Sequence, residues 1–426
     1  MNSIAKNSDI KQDSTTDQLD VSSIGNSNVL LEIKDLHTQF FTEEGIVKAV
    51  DGVSFNIYKD EVLGLVGETG CGKSVTALSI LRLVRAPGKI IDGSIYFNGI
   101  SLLELTEKEM RKYRGKEITM IFQDPLNSLN PVLKVGEQIS EVFSLHQREL
   151  LKKTLDNRLL ERKKKIQKYK ELNTKLKDKN LRLSIDEIKD IKSRIKKLKN
   201  ETGHIPLLKD VLEDKSANIL KEVGIADPRE ILKRYPHELS GGMRQRVMIA
   251  MGLSCNPLLL IADEPTTALD VTIQAQILDL MKDLKKRFRT SILIITHDLG
   301  IIAEMCDRVA VMYSGNIVEY ASADDLFKNP RHPYTQGLIG AIPDIEKKGK
   351  KLKVIRGMVP NLIYPPSGCR FHPRCDFRLQ VCDIINPEFT EIGKNYFVAC
   401  HLFNPEYKDS PKYEWTEEKK RIADRV

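Results

Sequence analysis

Residues 62–83 constrain this chain more tightly than any other stretch. A short apolar run, Val62 to Val66, leads into Gly67-Glu68-Thr69-Gly70-Cys71-Gly72-Lys73-Ser74, and a longer apolar stretch, Val75 to Leu83, follows. The first run reads as a buried strand and the second as a helix. A strand, a glycine-rich loop and a helix in that order make a phosphate-binding turn of the Walker A type. Its backbone N–H groups would cradle the β- and γ-phosphates of a nucleotide. Lys73 would neutralise their charge, and Ser74 would ligate Mg²⁺. A plain glycine-rich turn does not need Lys and Ser at those two places. Cys71 fills a variable position of the loop, where alkylation would block nucleotide entry.

A second apolar run, Leu258-Leu259-Leu260-Ile261-Ala262, ends in Asp263-Glu264, the Walker B pattern. Such a run fits a central strand buried on both faces. Asp263 would hold Mg²⁺ through water, and Glu264 would orient and polarise the attacking water. Phosphoryl transfer asks the protein mainly for positioning and charge. Between the two motifs lies Leu239-Ser240-Gly241-Gly242-Met243, which resembles the signature motif of ABC-type ATPases. That resemblance implies a helix start whose free N–H groups reach the γ-phosphate of ATP held by a second subunit. Three smaller elements resemble the same family. Gln123, after the apolar run Ile118 to Phe122, resembles the glutamine that touches Mg²⁺. Ala268-Leu269-Asp270 resembles the loop that crosses the dimer interface. His297, after Ile292 to Ile295, resembles the switch histidine at the γ-phosphate. Phe40, with Phe41 beside it, is the candidate to stack on adenine. The fold implied is α/β: a parallel-core sheet with an antiparallel β subdomain, a helical subdomain and a loop-rich C-terminal extension.

The chain of 426 residues holds one large or two medium domains with a real core. It has no apolar run of about 18 residues, so no spanning helix is expected. The polar start, 1–28, reads as a disordered tail without a signal peptide. Seven cysteines, odd in number and unevenly spread, argue against a disulfide framework and for a reducing cytosol.

The net charge of +8 is unevenly placed. His146 to Asn200 carries 20 Lys or Arg against 8 Asp or Glu, a net of +12, which leaves −4 for the remainder. The ATPase-like region, 29–330, is longer than usual in the resembled family by about this segment, taken as an insert at 146–203. Ile166, Tyr169, Leu172 and Leu176, then Ile188, Ile191, Ile195 and Leu198, recur at helical spacing. Asn173 to Ser184 interrupts them, so a two-helix antiparallel hairpin is expected. About 25 residues per helix would reach about 38 Å. A solvated charged hairpin and a contact with anionic lipid or a permease loop both fit this composition. Nucleic acid is not expected, because interleaved aromatics are lacking.

From 331 to 408 the sequence turns Pro-rich and loop-like, ahead of a charged tail at 409–426. Cys369, Cys375, Cys382 and Cys400 are separated by 5, 6 and 17 residues. Four thiols so placed are metal-ligand candidates, although this is not the spacing of a zinc ribbon. The segments 368–375, Val398-Ala399-Cys400-His401, His332-Pro333-Tyr334-Thr335 and Gln123–Pro131 resemble ATPase subunits of oligopeptide and dipeptide ABC importers, D-type subunits in particular. In that family these cysteines can hold a [4Fe-4S] cluster. Zinc, with His372 or His401 sharing ligation, and unligated thiols remain alternatives. The resemblance implies ATP hydrolysis driving peptide uptake from the cytoplasmic face of the membrane. It also implies a homologous F-type partner ATPase, two permease subunits and, indirectly, an extracellular peptide-binding protein. Nickel or murein-peptide uptake, and non-transport ABC ATPases acting on DNA or ribosomes, are the rival readings.

Overall fold

The computed structural model describes residues 28–124, 128–178, 184–267, 269–342 and 355–413. The expected N-terminal tail apart from Asn28, the hairpin tip at 179–183, Ala268 and the charged tail beyond 413 lie outside the described residues.

Five strands run parallel in the main sheet: β3 (Val62–Val66), β6 (Ile118–Ile121), β7 (Leu259–Asp263), β8 (Ser291–Thr296) and β9 (Arg308–Tyr313). Every residue of β3, β7 and β8 is buried. That explains their unbroken apolar sequence, since parallel strands are covered on both faces. The period of two then divides the core. Leu63, Leu65, Leu259, Ile261, Leu293 and Ile295 face one hydrophobic cluster, and Val62, Val66, Leu260, Ala262, Ile292 and Ile294 face another.

The first cluster lies beneath a smaller antiparallel sheet of order β2-β1-β4-β5. It is built from β1 (Val29–Thr42), β2 (Gly45–Tyr58), β4 (Gly88–Phe97) and β5 (Ile100–Ser101). The second cluster lies beneath the helical subdomain, whose helices include Val135–His146, Leu208–Glu222 and Gly241–Leu253.

The basic segment forms the hairpin, with arms of unequal length. Its helices are Arg148–Lys177 and Ile185–Thr202, about 45 Å and 27 Å long at 1.5 Å per residue. Arg162 Nε donates to Thr202 O at 3.2 Å, and Lys165 pairs with Glu201 at 2.9 Å, which fixes the antiparallel register. Ser184 and Glu187 cap the second helix reciprocally. The expected seam residues are the ones shielded from solvent, and Ile191 among them is buried. The first helix exceeds the second because its root is not part of the projecting arm. Leu151 is 2% exposed within the main core, and Arg158 pairs with Asp214 at 2.9 Å.

The C-terminal segment continues the main sheet across residue 330. β10 (Asn316–Ser322) pairs with β12 (Tyr396–Ala399), which pairs with β11 (Phe389–Gly393). Cys369, Cys375 and Cys382 belong to the second hydrophobic cluster along with Tyr313, Tyr334 and Phe371. Loops make up much of the remaining segment, but the extension shares the ATPase core. His332, 1% exposed, joins the two parts. Its N–H donates to the Glu319 carboxylate, and its Nδ1 accepts from Tyr334 N–H. Among the described residues no helix is long and apolar enough to cross a membrane.

Three stability predictions rest on these contacts. Excising residues 163–201 with a short turn in their place should leave the melting temperature nearly unchanged. Leu151→Ala should cost about 2–5 kcal/mol in a denaturant titration. Burial holds the His332 imidazole at about 3, far below its ordinary 6.5. Its neutral form is the folded one, so its contribution is complete above about pH 6.5 and is lost as pH falls toward 3. Melts across that window should show His332→Gln with a flatter pH dependence than the unaltered protein.

Candidate nucleotide site

The loop after β3 is shaped by steric necessity at two glycines. A Cβ on Gly67 would lie 2.1 Å from Met312 O, and one on Gly72 would lie 2.2 Å from Ala49 O. Glycine is required there by close approach of the backbone as well as by positive φ. Thr69 and Gly70 stay exposed at the rim. Cys71 is buried, with Lys73 Nζ 3.8 Å from its Sγ. Burial pushes the Cys71 thiol up, against the opposing pull of Lys73. Lys73 is buried too, and its Nζ donates to Gly67 O at 2.8 Å and Glu68 O at 3.0 Å. The loop carbonyls thus hold the ammonium at the mouth of the cradle.

Ser74, Leu78, Gln123, Asp124, Ser128 and Asp263 line a cleft beside this loop. Asp263 is 4% exposed, and its Oδ1 has no hydrogen-bond partner among the described residues. Burial raises its carboxyl above the ordinary value, opposed by a hydrogen bond from Ser74. An unsatisfied buried carboxylate oxygen next to a serine hydroxyl fits a hard cation and its water, so these residues suit Mg²⁺.

Glu264 follows with φ 47°, in the left-handed region, while its N–H donates to Ile295 O at 2.8 Å. This turn swings the carboxylate out of the sheet. Gln123 Nε2 donates to Oε2 at 2.8 Å, Thr267 Oγ1 donates to the same oxygen at 3.0 Å, and His297 Nδ1 lies 3.0 Å from Oε1. Burial opposes ionisation, but these bonds outweigh it and hold the carboxyl below its ordinary range. Glu264 is therefore a carboxylate at neutral pH, able to accept a proton or align a water.

Ser240 caps the signature helix, its Oγ accepting from Met243 N–H at 3.4 Å. Leu239 is buried, whereas Ser240 is exposed. The two glycines differ in role. A Cβ on Gly242 would meet Ile273 at 2.8 Å, so that glycine serves packing within the chain; among the described residues Gly241 has only Leu269, at 3.5 Å. Gln245, 1% exposed, ties this helix to Pro265 O in the turn after Glu264. None of these signature residues lines the cleft beside the phosphate loop. Asp270 stands exposed at the start of the helix Val271–Phe288. Phe40 is half-buried and its ring packs over Gly88. Phe41 carries the more exposed ring, with Lys89 Nζ 5.8 Å from its centroid.

Cys369, Cys375, Cys382 and Cys400 are all buried and form no disulfide. Each sulfur receives a backbone N–H: Cys369 from Phe371 and His372, Cys375 from Phe377, Cys382 from Leu379 and Cys400 from Leu402. Cys400 lies within electrostatic reach of the other three. Burial pushes the thiols of Cys369 and Cys375 up to about 12. His372 Nδ1 faces Cys369 O at 2.9 Å, and His401 Nε2 faces Ile385 O at 2.8 Å. Among the described residues no three His, Cys, Asp or Glu side chains are grouped for a single metal ion.

Residues 50–267 match the family model described as ABC transporter. The chain belongs to the ABC transporter family. Residues 318–382 match a second model, the C-terminal region of oligopeptide/dipeptide transporters. This ABC protein is 45% identical over 380 residues to the oligopeptide transport ATP-binding protein AppD of Bacillus subtilis, covering 89% of this chain and 98% of that protein. It is 45% identical to a probable peptide ABC transporter ATP-binding protein of Sinorhizobium fredii, covering 89% and 96% respectively. Identity to the oligopeptide transport ATP-binding protein OppD of Salmonella typhimurium is 42%, covering 85% and 90%. The chain is an ATP-hydrolysing enzyme that uses ATP and Mg²⁺.

Sequence reasoning missed three contributors to this ABC site. Thr267 lies only three residues beyond Glu264, close enough for local geometry to have suggested it. Tyr334 OH accepts from Glu68 N–H at 2.9 Å, and Arg374 pairs with the Glu68 carboxylate. Both come from the C-terminal segment, and no sequence spacing links them to the loop.

Glu264→Gln should lower ATP turnover by about 10²- to 10⁴-fold, the range expected when a proton-transfer group is lost. ATP binding should persist. A phosphate-release assay paired with equilibrium nucleotide binding separates the two effects.

Proposed function

We propose that this chain is one of two ATPase subunits powering import of oligopeptides or dipeptides through a pair of membrane permeases. One observation carries the reading: the Glu264 cluster beside the phosphate loop occurs in the same chain as a C-terminal region of the oligopeptide/dipeptide type. The names of its curated relatives support the cargo.

In this proposal Lys73 neutralises the terminal phosphates. Ser74, Asp263 and Gln123 would hold Mg²⁺, which when bound supplies further neutralisation of the phosphate charge. Glu264 aligns the attacking water and accepts its proton; His297 and Gln123 release it as they turn toward the γ-phosphate. Ser240, Gly241 and Gly242 present their N–H groups, and Leu239 and Met243 their flanking contacts, to ATP held by a partner ATPase of the F type. Asp270 lies at the junction of the two subunits, and an aromatic ring, Phe40 as first expected or the more exposed Phe41, stacks on adenine. Each ATP is shared by two subunits, so nucleotide occupancy favours the closed pair. Closure draws the permeases toward the outward-facing state, where the extracellular peptide-binding protein delivers cargo.

Four buried thiols, each offered a backbone N–H, support an iron–sulfur cluster, although among the described residues they are not drawn together as ligands of a single ion. Cys369, Cys375, Cys382 and Cys400 would hold a [4Fe-4S] cluster, which when bound would cross-link a segment rich in loops. Zinc, the alternative, needs three or four side chains gathered on one ion, and the described residues show no such group. The basic hairpin fits a contact with anionic lipid at the cytoplasmic face of the membrane.

Uptake of a labelled peptide should collapse in cells carrying Glu264→Gln while nickel accumulation is unchanged. Intact peptide uptake with lost nickel uptake would assign the other cargo. Protein purified without oxygen should contain about four irons and four acid-labile sulfides per chain, the content of such a cluster; zinc in their place would overturn that part.

A further inference from the structure

Glu68 is an anion placed inside the loop that must accept an anion. A carboxylate there repels the polyphosphate, and the repulsion grows as the surroundings become less polar. The carboxylate sits on the same residue whose backbone carbonyl holds the Lys73 ammonium, at 3.0 Å. Without a counter-charge, the loop would carry a built-in cost against binding ATP.

That counter-charge comes from the far end of the chain. Arg374 Nη1 donates to Glu68 Oε2 at 2.7 Å, and Nη2 donates to Oε1 at 3.1 Å, a two-pronged pair. Arg374 has little freedom to move. It is 5% exposed, its Nε donates to Arg356 O at 2.8 Å, and its guanidinium lies 5.7 Å from the centre of the Tyr313 ring. The backbone of Glu68 is held as well, by Tyr334 through its N–H and by Lys73 through its carbonyl. The turn that presents Arg374 also carries Cys369 and Cys375. Arg374 N–H donates to Phe371 O, and Cys375 N–H donates to His372 O.

We propose that Arg374 is a positioning residue of the nucleotide site, which neutralises and pins Glu68 so that the phosphate loop accepts ATP. The proposal rests on the loop's role in ATP binding. It assigns the cysteine-bearing turn a second task, delivering a cation to the loop.

The test uses the purified full-length chain and measures equilibrium binding of ATP, ADP and AMP. Arg374→Met should weaken ATP by about tenfold or more, ADP less and AMP least, because the repulsion scales with phosphate charge. The loss should shrink as ionic strength rises. Adding Glu68→Gln to Arg374→Met should restore most of the ATP affinity, since the unpaired anion is then gone. A merely structural role for Arg374 predicts the opposite: the double variant would bind as poorly as Arg374→Met, with AMP affected as much as ATP. Either that result or unchanged ATP binding in Arg374→Met overturns the proposal. Should Arg374→Met fail to fold, Arg374→Lys, which keeps the charge and loses the fork, is measured with and without Glu68→Gln. A deficit confined to the single variant supports the proposal, and an equal deficit in both overturns it.

Discussion

The nucleotide site depends first on the register of three buried parallel strands. Val66 at the end of β3 lies beside Thr296 at the end of β8, and Asp263 at the end of β7 lies beside Ile295. The phosphate loop, His297 and the Asp263-Glu264 pair therefore all leave the sheet at one edge. Ligands in open α/β sheets bind at the carboxyl ends of the strands for this reason. A shift of one residue in any of the three would also exchange the two faces of that strand between two separate cores. Catalytic alignment and core packing are enforced by the same alternation.

At that edge the chemistry is arranged around two carboxylates with opposite tendencies. Asp263 is buried, and one of its oxygens has no hydrogen-bond partner among the described residues, a setting that suits a cation. Glu264 is satisfied three times over, by Gln123, Thr267 and His297, and remains charged. Adjacent residues thus acquire different surroundings: one is buried against a serine hydroxyl, and the other is held by partners from three separate segments. The signature helix is fastened to this machinery from behind, through Gln245 and Pro265, while Ser240 faces solvent. A residue tied to its own catalytic turn yet directed outward suits a site completed between two subunits.

The C-terminal segment is more than an appendage to this arrangement. It adds two strands to the ATPase sheet, buries Cys369, Cys375 and Cys382 in the ATPase core, and reaches Glu68 through both Tyr334 and Arg374. Glu319, fully buried, joins the parts by accepting from Arg331 N–H, His332 N–H and the Tyr396 hydroxyl. A buried carboxylate with so many donors is costly to leave half-satisfied, so the segment and the sheet are expected to fold together.

Local pattern was enough to reveal the phosphate loop, the two acidic residues, the signature helix and the seam of the basic hairpin. Each of these is set by neighbours a few residues away: glycines where backbones crowd, apolar residues at a fixed period, a Ser and a Glu that cap one helix turn. The sequence could not show that the first hairpin helix is rooted in the core, because Leu151 looks no different from an apolar residue of the seam. It could not show that Gly242 also packs closely against Ile273. It could not show that the Pro-rich segment completes the sheet, since pairing with β10 depends on strands distant in the chain. The pairing of Arg374 with Glu68 joins residues 306 positions apart. The kinds of chemistry were written in short words of sequence. Which groups meet, and which charges cancel, was decided by folding, because only packing brings the two ends of the chain to one loop.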